Sequence, residues 1–151
     1  MSEREKAKGN EPAGFGMAEY VAGVAEGWPE SDLYRIIVRG LPREFHAQSF
    51  ERQRAALCER VPLTGTRWDA LLAAVVEHVA RQHGHEPPAW VDEPERFLDS
   101  TWVVSKLRSI RMNALMFAPA AFLRHGALPD PRDLDGRGGE RHQWTPWPSL
   151  F

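Results

Sequence analysis

Cysteine is almost missing. Cys58 stands alone in 151 residues, so no intramolecular disulfide can form and nothing points to an oxidising compartment. Long apolar runs are missing too. None approaches the roughly 20 residues that a membrane-spanning helix needs, and the opening MSEREKAKGNEPAG has no apolar signal core. A cytoplasmic protein is expected. An excess of one charge is also absent: the formal net charge is −2 and the isoelectric point about 6.3. That balance argues against nucleic-acid binding by bulk positive charge, though it leaves a local basic patch open.

Catalytic signatures are lacking as well. There is no GxSxG, P-loop, GxGxxG or HExxH. The glycines of DGRGGE do not sit between a strand and a helix, so they do not predict a phosphate cradle. No period-two alternation is sustained, and no internal repeat is found. What remains is helical periodicity in a chain of one-domain length. The expected fold is all-α, an irregular single-domain helical bundle with an aromatic, Pro-rich connector.

Three regions are expected: a charged, disordered segment over 1–16, a helical domain over 17–134, and a Gly/Pro/Trp-rich tail over 135–151. Within the domain, Ser31 predicts an N-cap. Leu33, Ile36, Ile37 and Leu41 share a face, and Gly40 and Pro42 end that helix. A second helix is read over about 42–60, carrying Phe45, Phe50, Ala56 and Leu57. The third shows the strongest periodicity: Trp68, Leu71, Leu72, Val75, Val76 and Val79 recur at i, i+3, i+4 and i+7. Thr66 caps it, Asp69 stands at the capping-box position, and Gly84 stops it after His83.

A connector follows in which Trp90, Phe97 and Trp102 lie among prolines. Large aromatics there predict packing, against the third and fourth helices, rather than a free linker. The fourth helix is read over about 103–117, with Val103, Leu107, Ile110, Ala114 and Leu115 as its buried stripe. Ala118-Pro119 interrupts it, and a short helical turn restarts with Phe122 and Leu123 inward and Gly126 closing it. Asp130-Pro131 predicts a last short helix. In the tail, Pro146 and Pro148 forbid a helix. Yet Trp144, Trp147, Leu150 and Phe151 are worth roughly 1.5–3 kcal/mol each if buried, which predicts docking on the domain or on a partner.

Candidate chemistry is sparse. His78, His83 and His85, with Glu77 and Glu86 beside them, are zinc-type ligands. The five-residue step from His78 to His83 puts them on different helix faces, so histidines stabilising a helix C-terminus is the preferred reading. Cys58 between Arg54 and Arg60 could be an activated thiol; a half-buried helical cysteine is preferred. Lys106, Arg108 and Arg111 are the basic residues of the fourth helix, with Arg108 and Arg111 on one face, and Arg124 and His125 lie beyond it. They suit a phosphate or an acidic protein surface, against the plainer reading of a solvated helix face. No catalytic, cofactor-binding or metal-ligating residue is assigned.

The tract WDALLAAVVEHVARQHGHEPPAWVDEPERFLDSTWVVS, followed by ALMFAPAAFLRHGAL, resembles a helical domain of actinobacterial proteins. There a helix is followed by PAW, PERFLD and PAAFxRHG. The corresponding positions here are Pro88–Trp90, Pro94–Asp99, Trp102 and Ala118–Gly126, within a similarity spanning about 33–134. In such proteins the domain often follows a repressor-type helix-turn-helix, and they are regarded as regulators or antitoxin-like components. The segment before Leu33 is read as too short and too Gly/Pro-rich for that reader. The resemblance therefore implies a companion domain that recognises protein rather than operator DNA.

The expected function is that of a non-enzymatic protein-binding or regulatory protein, one that pairs in toxin–antitoxin fashion or self-associates. Its expected contacts are Trp144, Trp147, Leu150, Phe151, Arg108, Arg111 and Arg124, since aromatics and arginine dominate interface hot spots. The alternatives are a histidine-based metal protein or enzyme, and a weak DNA-binding regulator.

Overall fold

The computed structural model describes residues 15–134. Helix α1, Met17–Glu26, precedes every helix read from the sequence. Its Met17, Tyr20, Val21 and Val24 follow the i, i+3, i+4, i+7 pattern, a signal the reading passed over. Tyr20 is fully buried, and its hydroxyl donates to the Trp68 carbonyl at 2.8 Å. Phe15, assigned to the leading segment, is also buried and meets Phe45 edge-on. The stretch before Leu33 therefore holds a helix that packs into the domain.

Helix α2, Glu30–Tyr34, begins behind Pro29 rather than at Ser31. It does not end at Gly40 and Pro42. It passes through a π-helical segment, Arg35–Gly40, into α3, Leu41–Ala47. Gly40 keeps helical dihedrals, and Pro42 falls in the first turn of α3. The wider π turn relieves the clash that a proline ring makes inside a regular helix.

The helix read over 42–60 is two. Gln48 is extended, and Ser49 caps α4, Phe50–Leu57, by accepting from the Arg52 amide. Buried Gln53 closes the break by donating to the carbonyls of Phe45 and Gln48.

Helix α5, Trp68–Gln82, runs through the centre. Its Trp68, Leu72, Val75, Val76 and Val79 are buried as expected. It is nevertheless not an amphipathic helix with a wet face, because from Trp68 to Ala80 only His78 escapes full burial. Ala70, Ala73, Ala74 and Ala80 let neighbours approach the side that the periodicity left open. The Thr66 hydroxyl accepts from the Trp68 amide. The Asp69 carboxylate reaches back to the Thr64 and Gly65 amides at 2.9 Å, so the capping acid serves the turn before the helix.

The connector packs. Two 3-10 turns, Ala89–Asp92 and Pro94–Arg96, lie on α5. Trp102 meets Trp68 edge-on with 5.0 Å between ring centroids. The other wall is not the fourth helix of the sequence reading but the short α7, Ala120–His125, whose His125 stacks on Phe97. The fourth helix itself is shorter than read. Trp102–Val103 forms strand β1, and α6 spans Arg108–Phe117.

Strand β1 pairs in parallel with β2, Ala127–Leu128, in the register Trp102 to Ala127 and Val103 to Leu128. Gly126 ends α7 at φ +80°, and a Cβ there would lie 3.3 Å from the Leu98 carbonyl. Glycine is thus required twice over, by handedness and by proximity. The last element is a 3-10 turn, Pro131–Leu134, with Asp130 accepting from the Arg132 amide. Tyr34 ties it down: its hydroxyl donates to Asp133 at 2.8 Å and accepts from the Asp130 amide.

Candidate functional site

Three places gather chemistry-bearing side chains. The first is interior. Glu77, in the middle of α5, is 2% exposed. Arg124 of α7 reaches it with Nη2 2.5 Å from Oε1 and Nε 3.4 Å from Oε2, and also pairs with Asp92. These two carboxylates hold the Arg124 guanidinium protonated well above its ordinary range. His125 Nε2 lies 3.6 Å from Glu77. Its Nδ1 is 2.8 Å from the Arg96 carbonyl; a carbonyl only accepts, so Nδ1 carries the proton. Burial pushes the His125 pKa down.

Arg96 is fully buried. It donates to the Val61 carbonyl and to Glu93, and lies over the Trp90 ring. Arg60 pairs with Glu93 at 2.6 Å and, as the largest influence, lowers the Glu93 pKa. Each charged group here has an opposite charge or a carbonyl beside it, while Arg96 Nη1, His125 Nε2 and Trp90 Nε1 are buried without a hydrogen-bond partner. The network fastens the connector and α7 to α5.

The second place is a groove of about 820 Å³ between α4, the turn at Gly84–Glu86 and the first 3-10 turn. Phe50, Leu57, Cys58, His85 and Trp90 line it, with Arg54 and Arg60 at hand. Cys58 is exposed, just past the end of α4, and is not the half-buried helical cysteine of the sequence reading. His85 does not activate it: Nε2 sits 2.8 Å from Gln53 Oε1, and the ring stacks on Phe50.

The histidines that suggested a metal diverge. His78 lies against Phe122, His83 against Phe45 and His46, and His85 against Gln53 and Phe50. Among the described residues no three His, Cys, Asp or Glu side chains converge as ligands. Nor is any helix among them long and apolar enough to cross a membrane.

The third place is the outer face of α6. Leu107, Met112, Leu115, Met116 and neighbouring Leu123 are each more than half exposed. This corrects the sequence reading, which turned Leu107, Leu115 and Leu123 inward. Helix α6 has two apolar stripes; on the second, Ala114 is fully buried and Ile110 and Phe117 are half-buried. Arg108 and Arg111 are also exposed on α6. Arg111 donates to the Ser105 carbonyl, and neither guanidinium forms an ion pair among the described residues. Arg124, grouped with them in the sequence reading, is instead committed to Glu77 and Asp92. Trp144, Trp147, Leu150 and Phe151 lie outside the described residues.

The sequence reading passed over the structural roles of Glu77, Glu93 and Arg96. The available signal was a lone carboxylate within an alanine–valine run, AVVEHVA. No family model matches the chain, and no curated protein or solved structure matches it either.

Proposed function

We propose that this chain is a non-enzymatic regulatory protein that binds a protein partner on the outer face of α6. One observation carries the reading: the solvent-facing side of α6 exposes Leu107, Met112, Leu115 and Met116, with Arg108 and Arg111 interleaved among them. Soluble monomers rarely leave contiguous apolar surface uncovered. Methionines make such a surface adaptable, and arginines among them supply directional contacts. The partner that fits is an amphipathic segment with acidic residues beside its apolar stripe. The antitoxin-like class implied by the PAW, PERFLD and PAAFxRHG tract agrees with such a role. No observation favours the metal alternative. Duplex-DNA binding loses Arg124 to two carboxylates, and the remaining cations lie among exposed apolar side chains.

The test is capture by the full chain from its source cell, compared with a Met112→Asp/Leu115→Asp variant. Both sites are solvent-facing, so the variant should keep its helical circular dichroism. A specific protein held by the unaltered chain should be lost, with affinity lowered at least about tenfold when measured on the purified pair, as loss of an interface anchor implies. Equal binding by both chains would remove α6 as the interface.

A further inference from the structure

We propose that the groove between α4, the turn at Gly84–Glu86 and the first 3-10 turn binds a free α-amino acid with a large apolar side chain. The groove shares no residue with the exposed face of α6, so this inference stands independently of the partner reading.

Three features of the groove define the ligand. The first is its apolar wall. Phe50, Leu57 and Trp90 line it. Phe50 is 56% exposed despite its large ring, and it stacks on His85 with 4.1 Å between centroids. A volume of about 820 Å³ lies in the range that encloses small organic molecules.

The second is a pair of polar groups in the wall without partners. The Gln53 amide nitrogen donates to the Phe45 and Gln48 carbonyls, so its oxygen is the atom turned to His85 and can only accept. His85 Nε2 therefore carries the proton and donates to it at 2.8 Å. In a neutral imidazole this leaves Nδ1 as a bare acceptor, and no donor meets it among the described residues. Burial first, and the Arg54 guanidinium second, push the His85 pKa down, which keeps the ring neutral near pH 7. His85 is only 8% exposed, so water has little access to that acceptor. Trp90 is buried as well, and its Nε1 donor has no hydrogen-bond partner. Unmet polar groups at buried positions are costly. A ligand that answers them carries a donor and an acceptor side by side.

The third is charge. Arg54, Arg60, Glu86 and Glu93 line the groove. Arg60 and Glu93 neutralise each other at 2.6 Å. Arg54 and Glu86 are exposed and form no ion pair among the described residues. One free cation and one free anion thus flank His85, Glu86 as its neighbour in the chain and Arg54 close enough to act on the ring. A polyanion such as a nucleotide would meet one free cation and two carboxylates. A fatty acid would leave Glu86 and His85 Nδ1 unanswered. A zwitterion matches: its carboxylate pairs with Arg54, its ammonium donates to Glu86 and His85 Nδ1, and its side chain covers Phe50, Leu57 and Trp90.

The experiment titrates the full chain calorimetrically with L-phenylalanine, with L-phenylalaninamide, which lacks the carboxylate, and with 3-phenylpropionate, which lacks the amine. L-Phenylalanine should bind, and the other two should each bind at least about tenfold more weakly. Arg54→Gln should weaken phenylalanine at least about tenfold and should not weaken phenylalaninamide. Glu86→Gln should weaken phenylalanine and should not weaken 3-phenylpropionate. Both positions are exposed, so both variants should keep their helical circular dichroism. A merely structural role would weaken all three ligands together.

Cys58, exposed on the groove wall, reports where the ligand sits. Saturating phenylalanine should slow its alkylation by N-ethylmaleimide, and that protection should be lost in Arg54→Gln. No binding of phenylalanine up to about 10 mM would overturn the proposal. Equal binding of all three compounds would overturn it in favour of a plain apolar patch. Binding of 3-phenylpropionate as tight as that of phenylalanine would overturn it in favour of an aryl monoanion. Phenylalanine binding that leaves Cys58 alkylation unchanged would overturn it in favour of another seat. The Met112→Asp/Leu115→Asp variant should bind phenylalanine as the unaltered chain does, so failure here is separate from failure of the partner reading.

Discussion

An ionised carboxylate in the middle of an alanine- and valine-rich helix is costly unless neighbours neutralise it. For Glu77 the neutralising group is Arg124, from 47 residues further along the chain, and the same guanidinium brings in Asp92 from the connector. Removing the cation leaves a buried charge, whereas removing both partners leaves two neutral groups. Arg124→Ala should therefore cost about 3 kcal/mol, the lower end for breaking a buried pair, because the Arg124 side chain is itself half exposed. Glu77→Gln in the same chain should recover at least about 1 kcal/mol. Urea unfolding of the two single variants and the double variant measures both figures. Additive losses would mean that the pair does not interact. None of this is legible locally: AVVEHVA shows that a carboxylate interrupts an apolar run, but not that its counter-charge lies in FLRHG. The same holds for the contact of Arg96 with the Val61 carbonyl, 35 residues away, whereas its pairing with Glu93, three residues back, was within reach of local spacing.

At the level of elements, periodicity succeeds where one stripe dominates and fails where two compete. Helix α5 was readable because Trp68, Leu72, Val75, Val76 and Val79 have no rival set. Its alanines then decide that the remaining side is buried too. Leu72, 1% exposed, has little room to relax, so Leu72→Ala should cost roughly 2–5 kcal/mol. A loss below about 1 kcal/mol in denaturant melts would contradict the central position of α5. Helix α6 carries Ile110, Ala114 and Phe117 on one side and Met112, Leu115 and Met116 on the other. Spacing identifies residues that share a face but cannot choose which face turns inward. That choice comes from β1 pairing with β2, which starts α6 five residues later than Val103 and fixes its rotation. The break at Gln48–Ser49 had a readable sign in the Ser49 cap, yet the arginine-rich turn that follows looked like continuous helix. Connector packing was legible because Trp90, Phe97 and Trp102 are too large to leave wet. The identity of the covering wall, α7 rather than α6, depended on a long-range register.

The whole molecule should respond to mild acid in a defined direction. His78, His83, His85 and His125 all have pKa values lowered from the ordinary histidine range, each chiefly by burial. The groups facing His125 are Glu77, Arg124 and the Arg96 carbonyl. Glu77 favours the charged form and Arg124 opposes it, and burial outweighs both. A histidine with a lowered folded pKa contributes nothing to pH dependence above about pH 6.5, where both states are neutral. Below that value the unfolded chain takes up a proton that the folded chain refuses, so stability falls as pH drops toward the folded pKa. The slope is at most about 1.4 kcal/mol per pH unit for each histidine. Glu93 works the same way in a separate window: its lowered pKa gives stability that is present above about pH 4.3 and lost below it. Urea midpoints should therefore be level near pH 7.5 and decline steadily to about pH 5.5. His125→Phe removes one of the refusing groups while keeping a ring against Phe97, so its profile should be shallower although the protein is less stable at every pH. A flat wild-type profile over that range would mean that these imidazoles are hydrated in the folded protein, and the closed packing of α7 on α5 would then be wrong.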